Sequence, residues 1–120
     1  MMPIRMQTEN TTTSRVFSRQ AKLAAVALGQ LIRIHRIERK LSVVALAERA
    51  GISRDLMQRI EHGDPRCGIG AAFEAAVIVG VALFEQEHRD LADQVHSNAQ
   101  QLMLLPKSIR TKTVTVKDAF

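Results

Sequence analysis

Residues 42–63 read SVVALAERAGISRDLMQRIEHG, and this stretch decides the fold. Leu46, Ala47 and Ala50 make a stripe of small and aliphatic side chains at helical spacing, which lets another helix approach closely. Gly51 stands where a helix can end in a left-handed residue without a side-chain clash. Ser53 offers its hydroxyl to the unsatisfied N–H groups of a second helix. In that helix Leu56, Met57 and Ile60 share one apolar stripe, and Arg54, Asp55, Gln58 and Arg59 point elsewhere. Two short helices joined by Ala50-Gly51-Ile52-Ser53 form a helix-turn-helix, and the polar face of the second is suited to reading DNA. Packed amphipathic helices also occur in small bundles with other roles, so the surrounding chain has to decide.

The totals fit one all-α domain with tails. The chain has 120 residues, 46% of them hydrophobic but only 3% aromatic, so its core is built from Leu, Ile, Val, Ala and Met. That composition favours closely packed helices over a β-sandwich. A net charge of +5 and a pI near 10.1 suit a polyanionic partner. The single cysteine, Cys67, excludes an intramolecular disulfide and suits a reducing cytoplasm. The start, MMPIRMQTENTTTSR, has no apolar segment of the secretory kind. The apolar run 69–84 is short and interrupted by Glu74, which argues against a membrane span and for a cytoplasmic protein.

Taken outward from the central stretch, residues 1–17 are polar and threonine-rich and are expected to be a disordered arm, with Arg5, Arg15 and the following Arg19 available to phosphates. Ser18 caps a long helix that reaches about Arg39. Leu28 and Ile32, with His35 a further candidate, line its inner face, and Leu31, Ile34 and Ile37 widen it. Asp64 to Gly68 is a turn by composition. A fourth helix is expected over 69–79, with Ile69, Ala72, Phe73, Ala76 and Val79 inward, ending at Gly80. A fifth is expected from about Ala82 to Asn98, burying Phe84, Leu91 and Val95. The helix-turn-helix domain then spans 18–97 and a tail spans 98–120. In the tail, residues 111–117 alternate Thr and Val, the period of a strand. A lone strand either stays disordered or pairs with a second chain, which makes Val114 and Val116 the candidate dimerisation residues.

Leu28-Gly29, Ile32-Arg33, Arg36, Leu41-Ser42, Leu46-Ala47, Ala50-Gly51-Ile52-Ser53, Ile60-Glu61 and Gly63 resemble the Cro-type phage-repressor (XRE) helix-turn-helix family. Ile69, Ala72-Phe73, Ala76 and Val79-Gly80-Val81 fit that family's closing helices, and the resemblance covers about 25–84. It implies a five-helix, lambda-repressor-like DNA-binding domain. By position it implies an architectural ion pair between Arg36 and Glu61, with Arg36 close to the DNA backbone. It implies phosphate contacts from Arg33, Arg36, Ser42, Ser53, His62 and Arg66, which give salt-sensitive and sequence-blind affinity. Base reading falls to Arg54, Asp55, Gln58 and Arg59, with Asp55 either accepting from cytosine or holding Arg54 and the helix start. One departure is Val43, where many relatives have a glutamine braced against phosphate.

The resemblance also implies a homodimeric repressor on an inverted-repeat operator, acting at its own gene. The tail Leu104-Leu105-Pro106-Lys107-Ser108-Ile109-Arg110, ending Asp118-Ala119-Phe120, is similar to tails of HipB-type antitoxins, which bind HipA-type kinase toxins. The alternatives are a free-standing phage-type repressor without a toxin partner and a helical protein-interaction module that does not bind DNA. An enzyme is disfavoured: His35, His62, His88 and His96 make no ligand cluster by spacing, and no phosphate loop or nucleophile elbow is present. No cofactor and no metal are expected.

Overall fold

A computed structural model describes residues 16–84 and 90–109. Among these it contains five α-helices and no strand: α1 (Arg19–Glu38), α2 (Val43–Ala50), α3 (Arg54–Glu61), α4 (Ile69–Val79) and α5 (Leu91–Met103). The expected C-terminal strand with Val114 and Val116, and most of the N-terminal arm with Arg5 and Arg15, lie outside the described residues. The chain divides into two compact units, Met1–Leu83 and Phe84–Phe120. No helix among the described residues is long and apolar enough to cross a membrane.

The first unit is built by caps and by one aliphatic core. Ser18, Ser42 and Ser53 each accept a hydrogen bond from the backbone N–H three residues on, at 3.1, 3.0 and 3.1 Å, and so start α1, α2 and α3. Gly51 ends α2 at φ 73°, where a Cβ would be strained, and its N–H returns to the carbonyls of Ala47 and Glu48. Gly80 ends α4 in the same way. Ile32, Leu46, Met57 and Val79, one from each helix, are fully buried, and Ala47, Ile60, Ala75, Ala76 and Val81 complete the core. Small residues dominate the α4 side, so the helices pack at close range. Val43, the departure from the resembled pattern, and Leu41 both pack against the core.

Three expected apolar faces need correction. Leu31, Ile34 and Ile37 are 44%, 50% and 55% exposed, because α1 meets α3 and α4 along only the stripe of Leu28 and Ile32. His35 lies beside that stripe and donates from Nδ1 to the Val79 carbonyl at 3.2 Å. Ile69, at the first turn of α4, is 70% exposed, and Ala75 takes the inward place. The fifth helix does not start at Ala82. The left-handed Gly80 sends Val81 back into the core with its N–H on the Ala76 carbonyl at 2.8 Å, which ends helical propagation.

The second unit holds α5. It begins only after Asp90, whose Oδ1 accepts from the Asp93 N–H at 2.9 Å. None of its residues is buried; Phe84, Leu91 and Val95 are exposed, against the expectation of a buried stripe.

Candidate nucleic-acid interface

The second helix of the helix-turn-helix, α3, is fixed from beneath. Met57 and Ile60 enter the core and Leu56 packs at its edge, which turns the opposite side of the helix outward. At its last residue, Glu61 receives Arg36 from α1: Nε donates to Oε2 at 2.6 Å and Nη2 to Oε1 at 3.0 Å. Arg36 Nη1 donates to the Leu41 carbonyl at 2.8 Å. All three nitrogens are thus committed to the protein, and the two side chains are only 11% and 4% exposed. A bidentate, desolvated pair of this kind sets the angle between α1 and α3. Close approach is allowed by Gly29, where a Cβ would press on the Ile60 and Glu61 carbonyls.

The outward side carries the sequence-expected residues. Arg54 and Asp55 are exposed on the first turn, joined by a loose contact of 3.8 Å between Arg54 Nη1 and Asp55 Oδ1. Asp55 lies where an acidic side chain suits the helix dipole, and the capping itself is done by Ser53. Gln58 and Arg59 follow one turn later and border a shallow groove with Asp55, His62, Asp64 and Arg66. Ser42 and Ser53 use their oxygens as caps, so each hydroxyl proton remains available to an acceptor. His62 donates from Nδ1 to the Gln58 carbonyl at 2.7 Å; only its protonated ring therefore has a second donor at Nε2. Arg33 is exposed on α1.

Asp64 is the site residue that sequence reasoning missed. It was visible only as part of a turn, yet its side chain is 19% exposed and collects three donors. Oδ1 accepts from the Arg66 N–H at 2.9 Å and from Arg66 Nε at 3.2 Å, and Oδ2 accepts from Arg59 Nε at 3.0 Å. The Arg66 N–H, together with the two arginine side chains, overcomes partial burial and lowers the Asp64 pKa to about 2. In turn the bond to Asp64 raises Arg59 above the ordinary arginine value. Partial burial, aided by Asp64, pushes the neighbouring Cys67 thiol up, which disfavours a reactive thiolate. Among the described residues no group of three His, Cys, Asp or Glu could hold a metal.

The family described as a helix-turn-helix domain matches residues 27–93, more than half of the chain. No curated protein and no solved structure matches it.

Proposed function

Because the chain belongs to the helix-turn-helix domain family, we propose that it is a sequence-specific DNA-binding regulator that lays α3 in the major groove. The observation that carries this is the two-sidedness of α3. Its apolar side and Glu61 are locked to the core, while Arg54, Gln58 and Arg59 share the open side with His62 and Arg66 beside them. Arginine offers paired donors to O6 and N7 of guanine, and glutamine pairs with N6 and N7 of adenine. Asp55 supports the helix start and Arg54 rather than a base, since a bare carboxylate near phosphates is repelled. Arg33, Ser42, Ser53, His62 and Arg66 contact phosphates. Arg36 acts through architecture, its nitrogens being taken by Glu61 and Leu41.

The regulator works as a homodimeric repressor in the cytoplasm. Two copies place α3 in major-groove faces about 34 Å apart, so the operator is an inverted repeat, and occupancy of its own promoter excludes polymerase. Electrophoretic mobility shifts at varied salt test the DNA reading. Wild type should lose affinity steeply as salt rises, and Arg59→Ala should lose preference for one sequence. Equal, weak binding of every duplex by both proteins at low salt would leave the protein-interaction module as the better account. Footprinting of its own upstream region tests autoregulation: no protected inverted repeat there would sink it. The antitoxin reading rests on the tail sequence and predicts co-purification with a HipA-type kinase; recovery of the chain from its host without a kinase favours the free-standing repressor.

A further inference from the structure

We propose that Asp64 is a specificity-determining positioning residue: its carboxylate holds Arg59 by Nε and thereby presents the terminal Nη pair of that arginine to a guanine. This rests on the DNA-binding reading of α3 and goes beyond it by assigning the base and the residue that selects it.

An arginine can meet O6 and N7 of guanine either end-on, through its two Nη groups, or side-on, through Nε and one Nη. Here the side-on edge is blocked, because Arg59 Nε is bonded to Asp64 Oδ2 at 3.0 Å. Among the described residues nothing takes a hydrogen bond from its Nη groups, and the side chain is about half exposed on the open face of α3. A long arginine side chain otherwise loses considerable rotamer freedom on binding; a partner that holds it beforehand removes part of that loss. Asp64 can hold it because Asp64 is itself fixed. Its other oxygen is tied to the backbone N–H and Nε of Arg66, and only 19% of its side chain is exposed. Two arginines on one carboxylate also leave a net positive charge, so the acid does not repel the phosphate track as Asp55 would.

The test is selection of bound duplexes from a random pool by the full chain, for wild type, Asp64→Asn, Arg59→Lys and Arg59→Ala. Asparagine keeps an oxygen for the Arg66 N–H but meets Arg59 with an amide, and lysine keeps the charge but has no fork. Wild type should prefer guanine at one position per half-site. Asp64→Asn and both Arg59 variants should each lose about tenfold of that preference at the same position, the size of one bidentate base contact. Adding Asp64→Asn to Arg59→Ala should change nothing further. Binding to random duplex should not weaken in Asp64→Asn, because that change removes a negative charge beside the phosphate track, and thermal melting of each variant reports whether the turn survives.

Preference retained or sharpened by Asp64→Asn would overturn the inference, the second case meaning that Asp64 restrains Arg59 from DNA. A parallel fall in melting temperature and in binding to every duplex would reduce Asp64 to a turn former and overturn it as well. A wild type without sequence preference would overturn the DNA-binding reading beneath it, and this inference with it.

Discussion

Removing Glu61 should unmask how much of the domain depends on one buried pair. In Glu61→Ala the Arg36 guanidinium loses charge-assisted bonds of 2.6 and 3.0 Å and keeps only the Leu41 carbonyl, with 11% of its side chain in reach of water. Each such bond contributes about 1.5–3 kcal/mol net, and stranding one buried partner costs roughly 3–5 kcal/mol. A loss of about 3–4 kcal/mol is therefore expected, a large part of the roughly 5–15 kcal/mol that stabilises a typical domain. The double variant Arg36→Met with Glu61→Leu removes both charges and fills the space with apolar atoms. What remains is an orphaned Leu41 carbonyl, costing about 1–3 kcal/mol, largely offset by new apolar burial. The double variant should thus lie within about 1–2 kcal/mol of wild type, far from the sum of the two single truncations. Urea unfolding of the full chain, followed by far-ultraviolet circular dichroism, on wild type, Arg36→Met, Glu61→Leu and the double variant gives all four corners of this cycle, with Glu61→Ala measured beside them. A Glu61→Ala penalty below about 1 kcal/mol, or a double variant as unstable as the summed truncations, would refute the view that desolvated charge rather than lost packing dominates here.

Gly29→Ala should destabilise by at least about 1–3 kcal/mol, as overpacking does, because its Cβ would sit 2.8 Å from the Glu61 carbonyl oxygen and push α1 from α3; unchanged melting would count against that close approach. Asp64 titrates near 2 in the folded chain, below its unfolded value, so its contribution is complete above about pH 5 and is lost as pH falls from about 4 to 2. The stability gap between wild type and Asp64→Asn, at most about 2 kcal/mol, should close over that window; a gap independent of pH would show that the ionised carboxylate is not what matters. Arg33→Gln should weaken binding to all duplexes alike and reduce the salt slope by about one per monomer, whereas a sequence-selective effect would move Arg33 out of the phosphate set.

Local chemistry explains which parts of this protein could be read from its residues. Ser18, Ser42 and Ser53 were legible as caps, and Gly51 and Gly80 as helix ends, because capping involves a few neighbouring atoms and one backbone angle. The core residues of α2 and α3 were legible because short helices with a single apolar stripe leave no choice of face. Periodicity was insufficient for α1, whose apolar residues spread over more than one face, and for α4, where nearly every position is apolar; there only the partners decide, and thus Ile34 and Ile69 faced out while Ala75 faced in. The fifth helix was misplaced for a related reason. The expected start near Ala82 follows the apolar run Val81-Ala82-Leu83-Phe84, whereas the capping residue is Asp90, whose carboxylate accepts from the Asp93 N–H.

The Arg36–Glu61 pair spans 25 residues of sequence, and no local rule joins such positions; it came from family resemblance alone. Asp64 lies between these cases. Its bond to Arg66 is local and typical of an aspartate opening a turn, but its bond to Arg59 depends on how the chain leaves α3. An acid placed just past a helix with a basic outer face is therefore worth testing as a brace for that face before it is assigned to the turn.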